Sequence, residues 1–146
     1  MSFPPIGSPA PWPAGLTNQD GKPVLLSAFA GKHVLLYFYP KDDTPGCTVE
    51  ACNFRDHAAD LPGVVVLGAS LDDAVSHQAF RAKFQLPFDL VVDAQHALAK
   101  AYGTLPDGGA YTTRSSFLIG PDGILKTVWP KADVKTHWQD VKIAVG

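Results

Sequence analysis

The sequence predicts an α/β fold with a central mixed sheet flanked by helices, and three observations support this fold class. Two apolar, β-branched stretches at 33–39 and 64–70 have the composition of strands that are buried on both faces of a sheet. Segments with helical spacing alternate with the strand-like stretches, as they do in α/β domains. A Gly-Pro-Asp-Gly turn at 120–123 separates two further strand-like stretches and indicates an antiparallel hairpin.

The chain is expected to form one domain over residues 1–146. This length is sufficient to bury a core, and no repeat or interior linker divides it. Five prolines within residues 1–15 fix the backbone and lack N–H groups, so this part is expected to be an extended arm. Trp12 is expected to attach the arm to the domain. A proline-rich ligand for another protein is disfavoured, because no repeated P-x-x-P pattern is present.

The elements after the arm begin with a predicted hairpin. The turn sequence at 18–21 precedes a short apolar stretch at 22–26, which favours a strand after the turn. The apolar run 33–39 is a buried strand that ends at Pro40. A helix is predicted at 47–60, where a Leu-Pro-Gly sequence stops it.

A second strand and helix follow in the same alternation. Strand 64–70 leads into a helix that Asp72 and Asp73 open, because carboxylates are favoured at the positive end of a helix dipole. The face of this helix that is expected to pack in the core consists of Val75, Ala79, Phe80 and Phe84.

The remaining elements end in a hairpin and a helix. They are a strand at 90–92, a helix at 94–102, a loop at 103–113, strands at 115–119 and 124–129, and a helix at 133–145. The sheet is therefore expected to have a parallel section and antiparallel strands at its end.

Composition and charge exclude several classes of function. The formal net charge is −2 and no basic block is present, so the chain lacks the electrostatic footprint of a nucleic-acid-binding protein or of a polybasic membrane contact. No stretch approaches the roughly 20 apolar residues of a membrane span, and the N-terminal residues do not resemble a signal peptide. The cytoplasm is therefore the expected compartment, where a disulfide is more often catalytic than structural.

Cys47 and Cys52 are the two cysteines of the chain, and both lie in the predicted helix 47–60. Cys47 follows a Pro-Gly turn close to the helix N-terminus, where unpaired N–H groups and the helix dipole favour an anion. Its thiol should therefore be a reactive thiolate more often than that of a free cysteine. In an intact helix, positions i and i+5 hold their Cα atoms more than about 8 Å apart. A disulfide needs about 7 Å or less, so the helix must unwind before the two can bond.

Other interpretations of the cysteines stay open at this point. Two unrelated buried thiols are the general expectation for free cysteines. A metal site with Cys47, Cys52 and His57 would have an unusual spacing and no evident fourth ligand. No C-x-x-C dithiol is present, which argues against a disulfide reductase. Five histidines share no spacing, are expected to be mostly exposed or partly packed, and are not needed as bases: His33, His57, His77, His96 and His137.

The pattern Pro40-x-x-x-Thr44-x-x-Cys47 resembles the active-site motif of the peroxiredoxins. The longer run at 38–52 is similar to the bacterioferritin comigratory protein subfamily, also called the Q type. The resemblance extends from about Gly21 to the last helix. Further segments that are similar to the subfamily lie at 64–70, 86–88, 99–103, 114–119 and 121–123.

The resemblance implies a thioredoxin-like fold with an added N-terminal β-hairpin, and a thiol peroxidase that reduces hydrogen peroxide and organic hydroperoxides. Cys47 would be the peroxidatic cysteine, which forms a sulfenic acid. Cys52 would be the resolving cysteine, which converts this acid into an intrachain disulfide. A thioredoxin-type dithiol would reduce the disulfide by exchange. No cofactor and no metal are expected, and the chain is expected to be a monomer, as many members of the subfamily are.

The resemblance also assigns roles to four residues around the sulfur. Thr44 would hydrogen-bond the thiolate and the peroxide, and Pro40 would shield the sulfur from water. Arg114 would stabilise the thiolate and polarise the O–O bond, and Glu50 would orient this arginine.

Two alternative functions are a redox-switched chaperone or sensor that uses the same helix opening, and a metal-binding thioredoxin-like module.

Overall fold

Six strands form one mixed sheet in the order β1-β4-β3-β2-β5-β6, in a computed structural model that describes residues 2–146. The strands are β1 Thr17–Asn18, β2 His33–Phe38, β3 Val64–Ser70, β4 Asp89–Val92, β5 Ser116–Ile119 and β6 Leu125–Trp129. The helices are α1 Pro45–Asp56, α2 Ala74–Lys83, α3 Ala97–Tyr102 and α4 His137–Val145, with 3₁₀ helices at Leu26–Phe29 and Ala58–Asp60. The predicted α/β class with a mixed sheet and flanking helices is confirmed. None of the helices within residues 2–146 is long and apolar enough to cross a membrane.

Strand β2 lies at the centre of the sheet and separates two apolar layers. Its neighbours are β3, which is parallel to it, and β5, which is antiparallel. Because side chains alternate along a strand, Leu36 and Phe38 pack with Tyr102 of α3 on one face. Leu35 and Tyr37 pack on the other face, with a set of residues from α1, α2 and α4: Cys47, Ala51, Phe54, Phe80 and Val141. From the carboxyl end of β2 the chain passes through a loop at residues 39–44 into α1.

The N-terminal hairpin is shorter than the sequence predicted. Thr17 pairs with Val92 of β4 and makes one bridge to Pro23. The predicted strand at 22–26 was wrong beyond the bond from the Val24 N–H to the Leu16 carbonyl, because Leu26 already belongs to a 3₁₀ helix. The arm is attached as expected, since Trp12 Nε1 donates to the Val24 carbonyl oxygen at 2.9 Å.

Helix ends and one helix face also differ from the predictions. Helix α1 begins at Pro45 rather than at residue 47, because a proline in the first turn has no N–H to leave unpaired. Helices α3 and α4 begin three and four residues later than predicted. In α2, Ala79 is exposed and Val75 is 74% exposed, so their expected core packing was wrong. His77 takes that place beside Phe80 on the buried face.

Gly68 in β3 is expected to tolerate no larger side chain. A Cβ at this position would lie 2.9 Å from Leu90 Cδ2 and 3.1 Å from both the Cζ atom and the hydroxyl oxygen of Tyr37. We expect Gly68→Ala to lower the free energy of unfolding by about 1–3 kcal/mol, the usual cost of overpacking a core. Urea unfolding monitored by circular dichroism measures this change.

The matched control for Gly68→Ala is Tyr37→Phe, which removes a buried hydroxyl that has no hydrogen-bond partner among residues 2–146. We expect Tyr37→Phe alone to be nearly neutral. It should also reduce the cost of Gly68→Ala in the double variant, because one of the three close contacts disappears and the ring can then move more easily. A Gly68→Ala protein as stable as the wild type would contradict this description of the core.

Candidate active site

Cys47 lies in the first turn of α1, directly beyond the loop that follows β2. Thr44 is the N-cap residue with an extended backbone, and Pro45 is the first helical residue. The first backbone hydrogen bond of the helix runs from the Thr48 N–H to the Thr44 carbonyl. The N–H groups of Gly46 and Cys47 therefore precede the regular helical bonds and point toward the space in front of the helix. Cys47 is only 1% exposed and has a free thiol.

Arg114 connects Cys47 to Glu50. Its Nη2 atom donates to Cys47 Sγ at 3.3 Å, and its Nη1 atom donates to Glu50 Oε1 at 3.0 Å. Cys47 and Glu50 are three residues apart in α1 and so lie on one face of the helix. A Cβ on Gly46 would lie 3.1 Å from Arg114 Nη2, so the glycine leaves room for the guanidinium. Three of the six predicted site residues are thus in direct contact.

Glu50 is fully buried beneath the guanidinium. Burial raises the pKa of this carboxyl to about 7, although the Arg114 charge and hydrogen bond act to lower it. Its second oxygen, Oε2, has no hydrogen-bond partner among residues 2–146. Burial acts to lower the pKa of Arg114, but Cys47 and Glu50 raise it above its usual value. The guanidinium is therefore a fixed cation, and Glu50 is the group of this pair that titrates.

Thr44 and Pro40 lie on the loop between β2 and α1. The Thr44 hydroxyl donates to the Lys41 carbonyl oxygen at 2.9 Å and not to the Cys47 sulfur. Pro40 follows β2 closely and is half-buried. The loop is attached to the body of the protein on its other side, where the Thr112 hydroxyl donates to the Tyr39 carbonyl oxygen at 2.8 Å.

Cys52 lies in the same uninterrupted helix as Cys47, is partly exposed and is also a free thiol. Their separation of five residues keeps the two Cα atoms beyond disulfide distance while the helix is intact. His57 does not join them, because its ring stacks on Trp138 at 3.6 Å between centroids and its Nδ1 lies 3.0 Å from Asp60. Within residues 2–146, the side chains grouped closely enough to hold a metal are Asp42, Asp72 and His77, and neither cysteine is among them.

Asp42 and His77 are buried polar residues near the site that sequence reasoning did not identify. His77 is fully buried, and so is His137, although most of the five histidines are partly exposed as expected. A signal for His77 was available, because it lies three residues before Phe80 and seven before Phe84 and thus shares their helical face. Asp42 lies within the peroxiredoxin-like motif but was not assigned a role.

Comparisons with known proteins show which family the chain belongs to. Residues 6–128 match the AhpC/TSA family. The chain is 44% identical over 141 residues to peroxiredoxin Bcp of Bacillus subtilis, which covers 90% of this chain and 88% of the relative. A structure of PrxQ from Xylella fastidiosa matches with a TM-score of 0.89 and 29% identity, over 99% of this chain and 97% of that one. The bacterioferritin comigratory protein of Xanthomonas campestris, studied for alkyl peroxide reduction, matches with a TM-score of 0.82 and 34% identity, over 91% and 93% of the two chains.

Fold and comparisons together define the class of protein, which is a thiol peroxidase built on the thioredoxin-like fold. The chain belongs to the AhpC/TSA family, and its relatives are the peroxiredoxins of the Bcp or Q type. The resemblance found in the sequence is thereby confirmed.

The raised pKa of Glu50 is expected to make stability depend on pH. A carboxyl whose pKa is higher in the folded state than in the unfolded state stabilises the protein at low pH. This contribution is complete below the usual value of 4.5 and is lost as the pH rises through about 7. The shift corresponds to about 3 kcal/mol. Between pH 4.5 and 8, the free energy of unfolding of the wild type should therefore fall by about this amount relative to that of Glu50→Gln.

Urea unfolding of both reduced proteins across this pH range measures the difference, in which other titrating groups cancel. The same pair in a Cys47→Ser background separates the contribution of the thiol. A difference between wild type and Glu50→Gln that is independent of pH would show that Glu50 has an ordinary pKa.

Proposed function

We propose that Cys47 is the peroxidatic cysteine of this peroxiredoxin, and that it reduces hydrogen peroxide and organic hydroperoxides. The observation that carries the proposal is the contact of Arg114 with both the Cys47 sulfur at 3.3 Å and the buried Glu50 carboxylate at 3.0 Å. A cation held in this place stabilises a thiolate, which is the nucleophilic form of cysteine. The alkyl peroxide reduction reported for the Xanthomonas campestris relative supports organic hydroperoxides as substrates.

In the first step, the Cys47 thiolate attacks the terminal oxygen of the peroxide. A sulfur–oxygen bond forms, the O–O bond breaks, and the leaving oxygen takes up a proton to give water or an alcohol. Negative charge moves to the leaving oxygen during this step. Arg114 and the N–H groups of Gly46 and Cys47 are placed to stabilise that charge, as donors do in an oxyanion hole.

Thr44 and Pro40 complete the proposed peroxide site. The Thr44 hydroxyl donates its hydrogen bond to the Lys41 carbonyl oxygen. The Thr44 oxygen is then free to accept a hydrogen bond from the peroxide O–H, which orients the substrate. Pro40 has no N–H to hydrate and covers the sulfur from the side of the loop. Glu50 holds Arg114 in the orientation that reaches both partners.

In the second step, the Cys52 thiolate attacks the sulfur of the Cys47 sulfenic acid. A disulfide forms and the hydroxyl leaves as water. This step requires α1 to unwind locally, since the intact helix keeps the two residues apart. A dithiol of the thioredoxin type then reduces the disulfide by exchange. We propose that the protein acts as a monomer in the cytoplasm, where such reductants are available.

Mass spectrometry after one equivalent of hydrogen peroxide tests the roles of the two cysteines. We expect a Cys47–Cys52 disulfide in the wild type. In Cys52→Ser we expect a sulfenic or over-oxidised Cys47, because no resolving thiol is present. An unmodified Cys47 with oxidation elsewhere would overturn the mechanism. Oxidation that stops after one turnover in the presence of a thioredoxin system would instead favour a redox sensor or a redox-switched chaperone.

Arg114→Lys tests the contribution of the guanidinium. Lysine keeps the positive charge but has a single ammonium group, which cannot contact the sulfur and the Glu50 carboxylate in the geometry of the planar fork. We expect kcat/KM for hydrogen peroxide to fall about 100-fold, the scale observed when one such donor is removed. A coupled thioredoxin assay measures this value.

Arg81→Lys is the matched control. Arg81 is a partly exposed arginine on α2 that donates to the Phe88 carbonyl and, within the described residues, has no hydrogen bond to either cysteine. The kcat/KM of Arg81→Lys for hydrogen peroxide should stay within twofold of the wild-type value. An Arg114→Lys enzyme with the same rate as this control would remove Arg114 from the proposed mechanism.

A further inference from the structure

The loop that leads into α1 is attached to the body of the protein through Asp42. The carboxylate of Asp42 accepts a hydrogen bond from the Tyr39 hydroxyl on Oδ1 and one from the Ser76 hydroxyl at 2.8 Å on Oδ2. The Asp42 backbone N–H donates to Asp72 Oδ2 at 2.9 Å. This residue thus connects the active-site loop to α2 and to the loop after β3.

His77 is the third partner of the Asp42 carboxylate. Its Nδ1 lies 2.7 Å from Asp42 Oδ2, and its Nε2 lies 2.9 Å from the Val91 carbonyl oxygen in β4. The ring is fully buried, so water cannot replace either partner. The Val91 carbonyl can only accept a hydrogen bond, and therefore Nε2 carries a proton.

The proton between Nδ1 and Asp42 belongs to the imidazole. Asp42 already accepts two hydroxyl hydrogen bonds, which favour the carboxylate form, so a proton at this 2.7 Å contact lies on the ring. Asp72 is a second carboxylate beside the ring, since its oxygen lies within 4.8 Å of the Asp42 and His77 ligand atoms. Both ring nitrogens therefore face acceptors, the Asp42 carboxylate on one side and the Val91 carbonyl on the other.

The loop held by this pair has a backbone conformation that needs support. Asp43 has φ of 58°, in the left-handed region that residues other than glycine rarely adopt. Asp43 is held on the outside by an exposed ion pair with Lys83 at 2.8 Å. Cys47 follows only four residues later, so the conformation of the loop decides where the first turn of α1 presents the sulfur.

We propose that Asp42 and His77 form a buried carboxylate–imidazolium pair that positions the active-site loop, and through it Cys47, for reaction with peroxide. This inference rests on the proposed role of Cys47. His77 and Asp42 are positioning residues, because they act through the loop and do not touch the sulfur. The pair explains the cluster of Asp42, Asp72 and His77 without a metal ion or a general base, since both ring nitrogens of His77 already face protein acceptors.

Single-turnover kinetics test the pair in the full chain. Reduced protein is mixed with one equivalent of hydrogen peroxide, quenched with acid, and analysed by mass spectrometry for oxidation of Cys47. We expect the rate constant to fall at least tenfold in Asp42→Asn and in His77→Gln. The double variant should be no slower than the slower single variant, because the two residues act as one unit.

Two control variants separate the pair from its surroundings. Ser76→Ala removes one hydrogen bond from the same carboxylate oxygen, and Lys83→Ala removes the exposed ion pair of the same loop. The rate constants for oxidation of Cys47 in both variants should stay within threefold of the wild-type value. Rates are measured on protein whose folded state is verified by circular dichroism. A pair with only a structural role would lower the urea midpoint but leave the rate of the folded protein unchanged, which would overturn the proposal.

Nitrogen-15 NMR of the wild-type histidines provides a test that does not depend on any variant. We expect one buried histidine to carry slowly exchanging protons on both ring nitrogens. A buried His77 with one unprotonated ring nitrogen would overturn the ion pair. If the wild type itself fails to oxidise Cys47 with peroxide, the proposed function fails instead, so the two failures are distinguishable.

Discussion

The contact of one guanidinium with a sulfur and a buried carboxylate is the interaction on which the site depends. Arg114 precedes β5, whereas Cys47 and Glu50 lie in α1, 67 and 64 residues away along the chain. They meet because β5 is paired antiparallel with β2, so that the start of one strand lies beside the end of the other. Without the cation, the helix would hold an unpaired buried carboxyl next to the thiol, an arrangement that costs free energy.

Helix α1 serves two requirements of the proposed cycle that oppose each other. Its N-terminal N–H groups favour a thiolate at Cys47, and its regular geometry keeps that sulfur away from Cys52. Opening the helix would break the contacts of Arg114 with Cys47 and Glu50. The local stability of this turn should therefore set how a sulfenic acid divides between resolution and over-oxidation. The loop in front of the helix is held separately, by the cluster around Asp42.

The sequence predictions are accurate where neighbouring residues decide the structure, and less accurate where distant residues decide it. The runs 33–39 and 64–70 are apolar at nearly every position, and the strands were found within one residue of their ends. The strand at 22–26 is shorter than predicted because the chain enters a 3₁₀ helix at Leu26. The core face of α2 was misjudged because hydrophobicity favours Val75 over His77. The histidine is buried there only because two acceptors from other elements satisfy its ring.

By itself, the sequence determined the alternation of strands and helices, the family motif, and the placement of both cysteines in one helix where they cannot bond. These features depend on neighbours within a few residues, through apolar periodicity, helix geometry and turn chemistry. Only the tertiary structure decided that Arg114, which the family resemblance suggested, reaches the sulfur and Glu50 together, that Glu50 is buried with a raised pKa, and that His77 lies between two acceptors. These features depend on the order of strands in the sheet, which brings together residues that are far apart in the chain.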